Sequence, residues 1–330
     1  MVDRFSQRIL FYILGIGFMI TLGFGVWMHN EFLRPGPLEK STVVLIPRGE
    51  SVRQISQLLF EDGLVRNPYI FEFGYRLLHS SFPLQSGEFH ISKGLSAQEI
   101  VGILISDRSF QRRITIPEGI SSYQIIERIK NIEGLSGDLK DLPPEGSLLP
   151  DTYFFSHGDT RASIIRRMRE SMETVLNDLW LSRDNGLPFK SSREAIILAS
   201  IVEKETGIAE ERAHVASVFI NRLRIGMRLQ SDPTVGYGIS NNGRFLPKSL
   251  TKGDLKRATP FNTYIIHGLP PGPITNPGVD SIKAVLHPLL SKDLYFVADG
   301  TGGHAFAETL QDHNKNVREW RAIKQSLSKN

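Results

Sequence analysis

The chain has 330 residues, 39 Lys+Arg against 35 Asp+Glu, a formal net charge of +4 and no cysteine. With 40% hydrophobic and 22% charged residues, wholesale disorder is excluded, and the missing cysteines exclude disulfides, thiolate nucleophiles, iron–sulfur clusters and thiolate zinc sites. The mild positive excess, without an interleaved arginine and aromatic surface, argues against nucleic acid as a partner.

The first element is an apolar run. No Asp, Glu, Lys or Arg occurs between Arg8 and Glu31, and residues 9–28 read ILFYILGIGFMITLGFGVWM. Twenty helical residues span about 30 Å, the thickness of a bilayer core. Tyr12 and Trp27 stand near its ends, where amphipathic aromatics favour the interface. A cleavable signal peptide and a buried core helix are the alternatives. The run is long for a signal h-region, and no A-x-A site follows it. Residues 9–28 are therefore expected to be a transmembrane helix in contact with the lipid bilayer. Arg4 and Arg8 on the short N-terminal side place residues 1–8 in the cytoplasm and everything from about residue 30 outside it.

Residues 29–40 (HNEFLRPGPLEK) read as a linker, broken at Pro35-Gly36-Pro37. Three similar segments follow: IPRGESVRQISQLL (46–59), ISKGLSAQEIVGIL (91–104) and IPEGISSYQIIERI (116–129). Each places a Ser two residues after a turn glycine, and apolar residues six and ten after it. An alternating β-rich stretch (TVVLI, EFHIS or RITI) precedes each one. The pattern predicts strand, turn and amphipathic helix, with Ser51, Ser96 and Ser121 as N-caps. Residues 41–133 are thus expected to form one or two small β/α modules. The unit resembles the LysM-like modules of cell-wall-associated proteins.

Residues 134–150 are rich in Gly, Pro and Leu and read as a connector. A helix is expected over 160–181, and its Arg161, Arg166, Arg167 and Arg169 are read as a solvated face. Ser191-Ser192 cap a helix through about Thr206, stopped at Gly207, and another covers about 210–225. Residues 230–278 are read as loop-rich, with seven Gly or Pro among the eleven residues 268–278. A helix near 279–287, a strand over 294–299, a hairpin turn at DGTGGH (299–304) and a helix over 309–325 complete the chain.

No metal-ligand spacing, Walker A, G-x-S-x-G or G-x-G-x-x-G motif occurs, so the motifs call for no metal and no cofactor. The informative stretch is LASIVEKETG (198–207). It places Glu203 and Glu205 at the end of an apolar helix, where carboxylates oppose the macrodipole and an acid with a raised pKa is to be sought. Residues two apart lie about 200° apart around a helix, so the two glutamates cannot converge on one bond. That permits a single acid/base and disfavours a retaining glycosidase pair. The bland reading is two solvated glutamates paired with Lys204 or Arg212. Amides, hydroxyls and aromatics suited to carbohydrate follow at Asn221, Arg222, Gln230, Ser231, Asp232, Thr234, Tyr237, Asn262 and Tyr264. Asp232 precedes Pro233, which biases it toward extended or turn backbone.

LASIVEKETG, ASVFINRLRIGMRLQSDPTVGYG, TPFNTYIIHGLPPGPITNPG, LYFVADGTGGHAF and HNKNV together closely resemble the catalytic domain of the MltG (YceG-like) family of membrane-anchored endolytic murein transglycosylases. The resemblance implies an α+β chain: a transmembrane helix, LysM-like β/α modules, then a mostly helical lysozyme-like catalytic domain over 134–330 with long loops and a short β element. It implies cleavage of MurNAc–GlcNAc bonds inside peptidoglycan glycan strands, giving 1,6-anhydroMurNAc ends and trimming or terminating nascent strands. Lys204-Glu205-Thr206 looks like the Glu-Ser of lysozyme-like transglycosylases, with Thr for Ser. It makes Glu205 the general acid/base, with Glu203 the alternative, and the nine polar residues above the groove lining. It also implies an inner-membrane location, an extracytoplasmic catalytic domain, and association with peptidoglycan synthases or divisome or elongasome proteins. The alternative is a non-catalytic, membrane-anchored peptidoglycan-binding scaffold.

Overall fold

The computed structural model describes residues 4–106, 110–240, 243–247 and 249–327; residues 1–3 of the expected cytoplasmic tail lie outside the described residues. The fold is mixed α/β and mostly helical. It divides into two compact units, one reaching to Arg112 with Phe154–Gly158 added, the other made of Arg113–Tyr153 and the chain from Asp159 onward.

The first unit opens with α1 (Arg4–Leu33). Its stretch Phe11–Leu33 is long and apolar enough to cross a membrane. Then come β1 (Thr42–Ile46), α2 (Val52–Glu61), α3 (Pro68–Leu78), β2 (Gly87–Ile91) and α4 (Ala97–Ile105). β1 and β2 pair antiparallel with Val44 opposite Phe89, and Val44, Ile46, Phe89 and Ile91 face a core shared with Leu59, Phe71 and Ile100. Residues 29–40 are not a free linker. α1 continues to Leu33, and Phe32 is 2% exposed within that same core. Its ring lies against Gly74, where a Cβ would stand 2.5 Å away. Gly36 then donates its N–H to Leu95 O at 3.0 Å. Proline breaks the helix, but hydrogen bonds and burial hold the broken segment in place.

The repeat has a local cause. Ser51, Ser96 and Ser121 each cap a helix, reciprocated by Gln54, Glu99 and Gln124 in a capping box. The preceding glycines, Gly49, Gly94 and Gly119, have φ of +86°, +73° and +73°, a left-handed backbone that residues with a Cβ rarely adopt. The first two helices of the repeat belong to the first unit and the third, α5 (Ser122–Lys130), belongs to the second.

β3 (Arg112–Thr115), of which Arg113–Thr115 belong to the second unit, precedes α5 and pairs with β4 (Thr152–Phe155). α6 (Arg161–Leu181) follows, capped by Thr160. Arg161 is no solvated side chain: its guanidinium donates to the carbonyls of Ile129 and Lys130 at the end of α5 and of Ile132 and Gly137 beyond it. The core is built round α7 (Ser192–Glu205), in which Ala195–Val202 are all buried. α8 (Arg212–Arg224) packs on it. Burying each Leu or Ile here contributes roughly 1.5–3 kcal/mol. The irregular region expected over 230–278 contains a helix, α9 (Asp232–Ile239). Asp232-Pro233 starts this helix rather than making a turn, because proline lacks an N–H only where the first helical turn needs none. α10 (Val279–Leu286) packs against α7 and α8. β5 (Tyr295–Ala298) and β6 (His304–Ala307) form the hairpin, and α11 (Leu310–Leu327) closes the described chain.

Candidate active site

α7 carries its apolar run through the core and surfaces in its last turn. Glu203 and Glu205 leave it on different sides. The Glu203 carboxylate accepts the Gly278 N–H at 3.0 Å. A side chain at Gly278 would collide with the Glu118 carboxylate, so this close approach needs glycine. Arg212 ties the same corner together by bridging Glu118 and Asp280. Glu203 thus joins the end of α7 to the start of α10, while Lys204 Nζ reaches the third repeat turn at Gly119 O.

Glu205 instead accepts a 2.5 Å hydrogen bond from the Ser231 hydroxyl. Burial, aided by the nearby charge of Asp232, pushes its carboxyl up to about 7; Ser231, His304 and Arg222 pull the other way. The residue keeps part of its surface open, while its carboxyl is desolvated. Ser231 stands at the N-cap position of α9 but makes no capping bond. Its hydroxyl is given to Glu205 instead, a helix-stabilising contact of about 1 kcal/mol forgone.

The segment around Ser231 is rigidly laced. Ser231 N–H donates to Thr263 Oγ1 at 2.9 Å, and Thr234 Oγ1 bonds both Ser231 O and Thr263 Oγ1. Gln230 has φ +51°, a strained conformation of the kind that collects at functional sites. Its N–H donates to Thr263 O, while its side chain is exposed. Exposed Asp232 accepts a 2.6 Å hydrogen bond from the Tyr264 hydroxyl. Burial first, then the Asp232 carboxylate, holds that hydroxyl protonated far above its ordinary range.

Glu205, Ser231, Asp232 and Tyr264 therefore come together, with Gln230 next to them in the chain, and the other sequence candidates do a different job. Arg222 is buried, donating to Leu294 O and Leu229 O, and Asn221 donates to the carbonyls of Ser291 and Asp293. These two hold the segment leading into β5. Asn262 is fully buried and donates to Leu255 O and Arg257 O. Thr234 is a buried lace. Tyr237 stacks edge-on against Phe261 and donates to Glu145, not toward Glu205.

Two residues escape sequence reasoning. Glu145, in the Gly/Pro-rich connector, is the second carboxyl pushed up to about 7 by burial. It accepts from Ser122 N–H and Oγ, Asn276 Nδ2 and Tyr237 Oη. No periodicity marks it, because its partners come from three distant segments. His304, on the hairpin, is close enough to Glu205 to act on its charge. Its Nδ1 and backbone N–H both engage the Glu211 carboxylate, at 2.6 and 2.9 Å.

A cavity of about 330 Å³ lies beside the end of α7, lined by Lys204, Asp232, Pro233, Tyr237, Leu246 and Ile274 among others. A larger one of about 490 Å³ lies at Glu145, Arg169 and Arg193, away from Glu205. Among the described residues no cluster of three His, Asp or Glu is placed to hold a metal ion. The site offers one carboxyl that changes protonation near neutrality, one fixed donor on it, and a neighbouring exposed carboxylate.

Comparison with known proteins gives the family the chain resembles. The chain matches the YceG-like family over residues 44–319. It is 30% identical to the endolytic murein transglycosylase of Bacillus subtilis (strain 168), over 88% of this chain and 89% of that protein. It is 29% identical to the endolytic murein transglycosylase of Streptococcus pneumoniae serotype 2, over 85% of this chain but 58% of that longer protein. Among solved structures, a yceG-like protein of Listeria monocytogenes superposes with a TM-score of 0.52 at 30% identity, covering 84% of this chain and 99% of that one.

Proposed function

The chain belongs to the YceG-like family, and we propose that it is a lytic murein transglycosylase cutting within peptidoglycan glycan strands, with Glu205 as its single general acid and base. The observation that carries this reading is the Glu205 carboxyl, desolvated at the end of α7, bonded by Ser231 and titrating near 7. At neutral pH a useful fraction is protonated, which matches a general acid to its working pH.

The reaction balances with one carboxyl. Glu205 protonates the glycosidic oxygen as the bond from the muramic acid anomeric carbon to that oxygen breaks. The sugar's own 6-hydroxyl forms the new bond to the anomeric carbon and returns its proton to the Glu205 carboxylate. The products are a 1,6-anhydro end and a free hydroxyl on the glucosamine, and no water is consumed. An intramolecular nucleophile carries its own effective concentration, which makes a second enzyme carboxylate as nucleophile unnecessary. Asp232 and Tyr264 flank the reacting carboxyl and bind sugar hydroxyls. Glu203 is a structural residue, consistent with its bond to Gly278.

The remainder of the reading is architectural. α1 is a single-pass anchor in the bacterial inner membrane with its N-terminus in the cytoplasm. The first unit is a LysM-like wall-binding element, and the second carries a lysozyme-like catalytic centre outside the cytoplasm. So placed, the enzyme trims or terminates nascent strands beside the peptidoglycan synthases.

Digestion of purified sacculi followed by mass spectrometry is the direct test. Wild-type protein releases anhydro-muropeptides; Glu205→Gln loses about 10²–10⁴-fold in rate, and Glu203→Gln keeps most of it. Full activity in Glu205→Gln transfers the role to Glu203. Binding to sacculi without release of any fragment by wild-type protein identifies a scaffold instead.

A further inference from the structure

The first unit carries an apolar face that its own core does not use. α3 opens with Asn67 as N-cap and Pro68 in the first turn, and it buries Ile70, Phe71, Gly74 and Tyr75. On its other side Tyr69, Phe73 and Leu77, spaced four apart, are 69%, 50% and 68% exposed. Residues at that spacing form one stripe along a helix. The stripe does not face open space on all sides. Phe24, Trp27 and Met28 of α1 line a groove of about 600 Å³ together with Tyr69, Phe73 and Arg76.

The junction between α1 and the unit is stiff, as the burial of Phe32 against Gly74 and the Gly36 to Leu95 bond require. The level of the groove relative to a bilayer therefore follows from the helix. With about 1.5 Å per residue, a hydrocarbon core of about 30 Å entered at Phe11 is left near Asn30. Phe24 to Met28 then lie about 3–9 Å inside that boundary. The α3 side of the groove is carried to the same depth.

We propose that the outward face of α3 is a lipid-binding surface. The groove between α1 and α3 takes a phospholipid acyl chain, with Tyr69, Phe73 and Leu77 seated just inside the hydrocarbon boundary of the outer leaflet. This rests on the reading of α1 as a membrane anchor and extends it to the folded unit. The composition favours lipid. Tyr and Trp are the aromatics that suit a boundary with one apolar and one wet side. At the rim Arg76 is paired with Glu72 at 3.0 Å, so the groove is electrically neutral and binds acyl chains without selecting anionic headgroups. An exposed aromatic stripe continuous with a spanning helix is costly in water and favourable in lipid. The first unit is consequently held down on the membrane and does not swing on a tether.

The chain has no cysteine, so single nitroxide labels can be placed at will. Full-length protein is reconstituted in phosphatidylcholine nanodiscs with one label at Phe73→Cys, Leu77→Cys, Phe18→Cys or Lys256→Cys. Collision with oxygen and with a water-soluble nickel chelate is then measured. The labels at 73 and 77 are expected to resemble the label at 18, oxygen-accessible and shielded from nickel, with the label at 256 reversed. The pattern is expected to persist when phosphatidylglycerol replaces part of the lipid. Nickel access at 73 and 77 with shielding at 18 overturns the docking surface and leaves the anchor standing. Nickel access at 18 as well overturns both. All four positions are exposed, and a helical circular dichroism spectrum equal to wild type certifies each labelled chain.

Discussion

Burial strips solvent from Glu205 and the charge of Asp232 adds to it, both raising its pKa, and a carboxylate at the C-terminal end of a helix is opposed by the dipole. One hydrogen bond, from Ser231, works hardest against them. In the proposed role activity depends on the protonated form, so cleavage falls as pH rises through about 7, measured as the rate of anhydro-muropeptide release. The Ser231 hydroxyl favours the carboxylate. Ser231→Ala raises the Glu205 pKa further and moves that alkaline limb up by about 1–2 pH units, the equivalent of a hydrogen bond to a charged group. An unmoved limb in this variant shows that Glu205 does not set it. Glu145 has the same raised pKa but no part in the proposed chemistry, so its effect appears in stability. Its folded pKa of about 7 exceeds the unfolded value of about 4.3. The folded state therefore loses stability as pH rises between those two values, and holds the lower level above them. Glu145→Gln removes the charge, and its amide can donate to the Tyr237 hydroxyl in place of accepting from it. Above pH 8 the variant is expected to be more stable than wild type by about 1–3 kcal/mol in denaturant titrations, and at pH 5 by little.

At the scale of elements, the same Gly-x-Ser device opens three helices, yet its surroundings differ. Ser51 caps an exposed helix start, whereas Ser121 is 1% exposed and also donates to Gly243 O at 3.1 Å. Ser51→Ala is expected to cost about 0.5–1 kcal/mol and Ser121→Ala about 2 kcal/mol or more, compared by urea denaturation. The capping residues were visible in the sequence because the physics is local: a left-handed glycine, a serine two later, an apolar face. α9 was not visible, because eight residues with two glycines and a proline carry no helical periodicity. Burial of Val235 and Tyr237, and the lacing of Ser231 and Thr234 to Thr263, hold it helical.

At the scale of the whole molecule, the junction between α1 and the rest of the first unit decides how the proposed anchor is used. Gly74→Ala places a methyl into the Phe32 ring, an overpacking that costs about 1–3 kcal/mol. It is expected to loosen α1 from the first unit, seen as faster proteolysis between residues 33 and 40 in nanodiscs, with α1 itself still protected. The sequence by itself determined the uncharged span, the three capped repeats, the apolar helix ending at two glutamates and the family resemblance, because each is written in neighbouring residues. The tertiary structure alone decided what each glutamate meets, since Gly278 reaches Glu203 and Ser231 reaches Glu205 across large separations in the chain. It also decided that Asn221, Arg222 and Asn262 brace loops through backbone carbonyls, that Glu145 is buried, and that Phe32 turns an apparent linker into a joint. Burial and hydrogen-bond partners depend on segments brought together only by folding, and spacing along the chain does not encode them.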